Sequence, residues 1–204
     1  DWTPEYIPEG CPPSSNVQIK FPKNAKNNSP ITMHWTDGGI RPFHPDIIPA
    51  EDWLGEPGSG NGVIMIGEKG TMTCGTYGLH PKIYLNNGEK IEMEKDFKTV
   101  NKYADLPEYG HQVAWTEACK AGFQSKEHKA LTSSFDYAGP LNETVLMGNV
   151  AIRSYMMGEK QDSGRMNFNG RRKMLWDGAK MKITNYDDAN EFVGRDYREG
   201  WKLI

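Results

Sequence analysis

No stretch of this sequence is apolar for long enough to cross a membrane as a helix, and no run of lysine or arginine extends beyond Arg171-Arg172-Lys173. A bilayer span needs about 20 apolar residues, and a phosphate-binding face needs concentrated positive charge. Neither a membrane nor a nucleic acid is therefore an expected partner. Basic and acidic residues nearly balance, 24 against 27, and the one basic triplet reads as a solvated hairpin entry. Cysteine is scarce: Cys11, Cys74 and Cys119 show no C-x-x-C spacing. That argues against a disulfide framework or zinc knuckle and leaves small buried hydrophobes or idle thiols. The five histidines (His34, His44, His80, His111, His128) are too dispersed to propose a metal site, and H-E-x-x-H, G-x-S-x-G and P-loop patterns are all missing. No carboxylate pair stands at a spacing that supports an unaided hydrolase.

What the chain does have is glycine and proline, 22 and 13 of them in 204 residues with a hydrophobic fraction of 37%. The composition describes a loop-rich domain long enough to bury roughly 70% of its unfolded surface. Gly58-Ser59-Gly60-Asn61-Gly62 looks at first like a nucleotide loop. A phosphate cradle needs a strand, then glycines, then a helix N-terminus; here an apolar β-prone run, Val63 to Ile66, follows the glycines. The loop is expected to feed a hairpin instead.

Residues 1–16, with Pro4, Pro8, Pro12 and Pro13, form an irregular entry segment that cannot be helical. Period-two alternation predicts strands over 16–21 and 31–35; apolar and β-prone runs between short turns predict further strands over 62–66, 71–77, 82–85 and 90–93, with Asn86-Asn87-Gly88 as a turn. Helical spacing follows over 109–120, stopped by Gly122. A stronger helix opens at Gly139-Pro140 and runs toward Gly158, with apolar residues on more than one face and a close backbone contact at Gly148. A hairpin around Asp177-Gly178 and a short helix after Asn185 complete the chain. Together these give one α+β domain over 1–204: an open, predominantly antiparallel sheet with helices packed on one face.

Three stretches could carry chemistry. In HWTDGGIRPFHPD, Trp35, Asp37, Arg41, Phe43 and His44 stand at or past a strand end beside two glycines, the aromatic, carboxylate and guanidinium set that a sugar or polyol site uses. Equally, Asp37-Gly38-Gly39 turns the chain and Trp35 packs in the core. In TSSFDYAGP, Ser133, Ser134, Asp136 and Tyr137 precede a helix, where capping is the default role. Tyr77 and His80 end another strand and could hydrogen-bond a substrate or act as acid and base, with a satisfied or surface pair as the plainer alternative.

The order MHWTDGGIRP, GVIMIGEKGTMTCGTYGLHPKIY, SSFDYAGPLNETVLMGNVAIR and MLWDGAKMKITNYDDANEFVGRDYREGW resembles the C-terminal domain of bacterial oxidoreductases of the glucose–fructose oxidoreductase/inositol dehydrogenase (Gfo/Idh/MocA) family. The resemblance covers nearly the whole chain and is weakest before Val17. It implies a partner domain, an N-terminal Rossmann fold that binds NAD or NADP; the glycine-rich loop, the Glu-Lys-Pro lysine and the catalytic histidine of the family all lie outside this sequence. No cofactor is then expected on this chain alone, and its catalytic residues are unassigned. The resemblance also implies a sugar, inositol or related polyol substrate that undergoes hydride transfer, and a homo-oligomer formed through the open sheet face. Residues expected near the substrate are Trp35, Asp37, Arg41, Tyr77, His80, Ser134, Asp136 and Tyr137. The family leaves the compartment open between the bacterial cytoplasm and the periplasm. The competing expectation is a stand-alone carbohydrate-binding or assembly module without catalysis.

Overall fold

The computed structural model describes residues 10, 12–56, 58–92, 110–168, 170 and 172–201. In chain order these form β1 (Asn16–Phe21), β2 (Ile31–Thr36), β3 (Val63–Gly67), β4 (Gly70–Cys74), a 3-10 turn (Thr76–Gly78), β5 (Lys82–Leu85), β6 (Lys90–Glu92), α1 (Gly110–Ala121), α2 (Lys126–Lys129), α3 (Phe135–Arg153), β7 (Gly158–Lys160), β8 (Met166–Phe168), β9 (Trp176–Asp177), β10 (Lys182–Ile183) and a second 3-10 turn (Asp187–Phe192). Every strand pair is antiparallel and the sheets are open. This is the α+β composition the sequence leads one to expect. The strands do not join into one sheet among the described residues: they form a four-stranded meander β3-β4-β5-β6 and three separate hairpins. Packing divides the chain, read from sequence as one domain over 1–204, into two compact units, residues 1–41 with 132–204 and residues 42–131.

In the first unit, β1 and β2 pair from Asn16↔Thr36 to Phe21↔Ile31, joined through an Asx turn in which Asn24 Oδ1 accepts the Lys26 and Asn27 N–H groups. The Val17 side chain of β1 lies 3.8 Å from where a Cβ on Gly148 of α3 would stand, an ordinary van der Waals distance to a side chain and not the close backbone contact expected at that glycine. The core gathers Val150, Ile183 and Ala189 with Met174, Trp176, Tyr186, Phe192 and Val193 around them. Side-chain amides complete its edges. Asn190 accepts the Ile183 N–H at 2.7 Å and returns its own N–H to the Ile183 carbonyl at 3.0 Å. Asn185 does the same between Leu175 N–H and Lys173 carbonyl. The Trp176 indole donates to Glu143 of α3 at 2.6 Å, tying the β9-β10 hairpin to the helix.

In the second unit the meander turns at Asn86-Asn87-Gly88, where Gly88 takes φ 87 and Leu85 N–H reaches Glu89 O, as the sequence predicts. Thr71, Thr73, Cys74 and Tyr84 are buried on it, as is Ile48 of the preceding loop. Helix α1 buries Ala114 and Ala118 and stops at Gly122, whose φ of 91 and N–H bond to the Ala118 carbonyl make the expected C-terminal cap. The expected helix residue Tyr109, strand residue Met93 and most of the proline-rich entry segment lie outside the described residues.

Several expectations need correction. The strand expected over 71–77 stops at Cys74, because Tyr77 adopts left-handed φ 60, ψ 20 inside a 3-10 turn. Helix α3 begins at Phe135, not at Gly139-Pro140: the Ser134 carbonyl already accepts N–H bonds from Tyr137 and Ala138. Pro140 therefore sits inside the helix, where its missing N–H forgoes a single bond near the start. The helix ends at Arg153, short of Gly158, as the Ser154 hydroxyl folds back on the Val150 carbonyl at 2.6 Å. It is not buried on several sides either. Val150 alone is fully buried, while Leu141, Val145 and Leu146 stay half exposed or more. The hairpin β7-β8 and the short α2 were not anticipated.

Candidate functional site

Asp37 stands just past the end of β2, and its carboxylate is gripped by three donors among the described residues. The Ser15 backbone N–H reaches Oδ1 at 2.6 Å, the Ser15 hydroxyl reaches Oδ2 at 3.0 Å, and the Trp35 indole N–H reaches Oδ2 at 3.0 Å. The backbone adds an Asp37 N–H bond to the Ser15 carbonyl at 3.1 Å. The turn that follows requires glycine: Gly38 has φ 60, and a Cβ there would overlap the Pro13 carbonyl and the Ser14 backbone. Asp37 thus performs the turning role open to it from sequence. Trp35 does not pack in the core, being 60% exposed. The outcome is an outward indole face whose N–H is already satisfied and whose orientation is fixed, beside a carboxylate with about four acceptor sites, three of them engaged by these donors. Arg41 and His44 are exposed, and Phe43 is 99% exposed; His44 stands within hydrogen-bond reach of the Pro45 and Asp52 carbonyls.

Ser134, Asp136 and Tyr137 are brought together at the start of α3. Ser134 is the N-cap by backbone conformation, φ -61 and ψ 160, yet its hydroxyl makes no capping bond. Asp136 occupies the first turn, where its charge complements the helix dipole. Tyr137 is 63% exposed, next to an 83% exposed Phe135. The arrangement therefore differs from a plain cap: the serine hydroxyl makes no capping bond, and the Asp136 and Tyr137 side chains are exposed.

Tyr77 and His80 share a turn in the second unit. Both are non-glycine residues with positive φ, 60 and 50, a conformation costing about 1 to 3 kcal/mol at each and found preferentially at functional sites. Tyr77 is 96% exposed and His80 is exposed as well. Glu56, which no sequence signal marked, accepts the Thr76 hydroxyl at 2.7 Å and the Ser59 hydroxyl at 3.2 Å. The only hint was its place between Gly55 and the glycine loop.

That loop does not fit a dinucleotide. Gly58 and Gly60 are left-handed, and the chain leaves Gly62 directly into β3, so no helix N-terminus faces the place of a pyrophosphate. No group of three or more His, Cys, Asp or Glu residues able to hold a metal occurs among the described residues. Cys74 is buried and Cys119 exposed, both as free thiols.

Electrostatic perturbation in the second unit centres on Lys90, whose ammonium bridges Asp52 at 2.9 Å and Glu92 at 2.7 Å. It holds both carboxyls below the usual carboxylate range, Asp52 with help from the Tyr84 hydroxyl, which donates to it at 2.8 Å. Burial, and then that bond to Asp52, push the Tyr84 phenol up to about 12. The hydrogen bonds to Glu92 and Asp52 raise Lys90 in turn. The cluster is a brace for the meander, not a proton-transfer site, since each of its charges is already paired.

Neither a scan against models of protein families nor a search of the curated proteins finds a match to this chain.

Proposed function

We propose that this chain is the substrate-binding and oligomerisation part of an NAD(P)-dependent oxidoreductase acting on a sugar, inositol or related polyol, as its resemblance to the Gfo/Idh/MocA C-terminal domain implies. The observation that carries the reading is the hold on the Trp35 indole by Asp37, whose carboxylate is itself gripped by Ser15. A polyol ring offers an apolar C–H face and a rim of hydroxyls; an exposed, immobilised indole suits the face, and a neighbouring carboxylate suits the rim. The uncommitted Ser134 hydroxyl, Asp136 and Tyr137 are further groups of the same chemistry. Hydride transfer itself would be supplied by a dinucleotide held outside this chain, whose own glycine loop does not fit one. The residues here bind and orient; none is assigned a proton-transfer role.

The same indole supports the second reading, a stand-alone carbohydrate-binding or assembly module. The two part on the dinucleotide. The test is the intact mass of the protein from its source cells, set against 23.0 kDa, with a thermal-shift assay in NAD and in NADP on that native form. A larger chain stabilised by either dinucleotide is expected. A chain of this size with no response would overturn the oxidoreductase reading in favour of the module.

A further inference from the structure

We propose that Glu56 is a positioning residue for Tyr77 and His80, holding their turn in the backbone shape that presents both side chains to a polyol. The proposal rests on the reading of those two residues as substrate contacts. A turn with left-handed residues at Tyr77, Gly78 and His80 persists only where its surroundings over-determine it. Part of the restraint is internal: Gly75 N–H bonds the Leu79 carbonyl at 2.7 Å, Gly78 N–H bonds that of Gly75 at 3.1 Å, and Leu79 N–H bonds that of Thr76 at 3.2 Å. The external restraint is the bond from the Thr76 hydroxyl to Glu56 at 2.7 Å, made across 20 residues of sequence. A carboxylate acceptor makes that bond shorter and about twice as strong as a neutral one.

Glu56 is fixed in turn by the glycine loop. Its N–H donates to the Asn61 carbonyl at 2.7 Å, its own carbonyl accepts Gly60 N–H at 2.8 Å, and Ser59 supplies the second hydroxyl on its carboxylate. The spacing works only without side chains. A Cβ on Gly62 would overlap the Cys74 carbonyl and Gly55, and one on Gly55 would overlap the Asn61 carbonyl. A Cβ on Gly75 would lie 3.3 Å from that of Glu56. The glycines that resemble a phosphate loop instead let the Glu56 backbone lie against the end of β4, where its carboxylate reaches the turn.

The test uses the isotope-labelled 204-residue chain with myo-inositol as the probe. Glu56→Ala is expected to move the Tyr77 and His80 amide and ring resonances and to weaken myo-inositol binding by about tenfold. Glu56→Gln, which keeps an acceptor oxygen, is expected to restore both. Thr76→Val removes the donor from the other side and should reproduce the Glu56→Ala result; it carries the test if Glu56→Ala fails to fold. Tyr77 and His80 resonances that stay in place in a folded Glu56→Ala or Thr76→Val chain would overturn the proposal. A wild-type chain that shows no saturation transfer to myo-inositol would sink the polyol reading instead, and the resonances would still decide whether Glu56 shapes the turn.

Discussion

In the first unit the ties around the core are mostly neutral, Asn190 and Asn185 standing in for backbone and Ser154 closing a helix; in the second they are charged, with Lys90, Asp52, Glu92 and the Tyr84 phenol bracing a meander. An amide that pairs with a backbone N–H and C=O keeps its strength at any pH. A phenol, an ammonium and two carboxylates do not. The first unit does carry ion pairs, Lys180–Asp177 and Lys182–Asp187, but these lie at its surface, where such pairs contribute about 0 to 1 kcal/mol. The difference implies that the units respond separately to the same change in solvent.

The most severe way to test that contrast is Asn190→Ala, which orphans the Ile183 N–H and carbonyl beside a buried side chain. A loss of about 2 to 3 kcal/mol is expected, read as faster amide exchange across α3, β9 and β10 with the meander unaffected. Tyr84→Phe attacks the other side and should cost about 1 kcal/mol at neutral pH, measured by urea unfolding. The sign of the pH effect follows from the raised phenol. Between its ordinary value near 10 and about 12 in the fold, the unfolded chain releases a proton that the folded chain keeps, so stability falls as pH rises. Lys90, raised as well, acts in the same direction. At the acid end Asp52 and Glu92 are lowered, so their contribution is present above the ordinary carboxylate range and fades as pH falls. Amides of the meander should therefore lose protection at alkaline pH before those of the first unit, and Tyr84→Phe should shrink that gap. Simultaneous loss in both units would break the comparison.

Smaller changes sharpen it. Gly148→Ala is expected to stabilise the first unit by roughly 0.5 to 1 kcal/mol in thermal unfolding, since the new Cβ meets Val17 at an ordinary 3.8 Å. A loss there would mean that the β1–α3 contact is tighter than described. Lys180→Ala should change stability by less than about 0.5 kcal/mol in the same assay.

How much of this was legible in sequence depended on the range of the interaction. Alternation over Asn16–Phe21 reported local burial, and Asn86-Asn87-Gly88 reported a local turn, so both were readable; alternation over Ile31–Trp35 marked a strand but not its burial, since Ile31 and Trp35 are exposed. The start of α3 was misread because Pro140, a good first helical residue, also tolerates a place near the start. β7 and β8 carry little apolar alternation, and Met166, Asn167 and Phe168 are all exposed, so no period marked them. The site divided in the same way. Trp35, Asp37, Tyr77 and His80 were conspicuous as residue types at strand ends, whereas the grip of Ser15 on Asp37 and of Glu56 on Thr76 spans 22 and 20 residues and leaves no local trace. Nor did any pattern show that Asn185 and Asn190 act as backbone, since their partners are set by the folded hairpin.

The outward row of α3, Leu141, Val145 and Leu146, separates two properties that protein engineers usually find coupled. These side chains add little to the core of their own unit while presenting apolar surface to water. Lysine or glutamate at Leu141 and Val145 should leave the unfolding temperature nearly unchanged yet raise the concentration at which the purified chain stays clear. The helix thereby offers a handle on solubility that the buried Val150, one turn further along, does not.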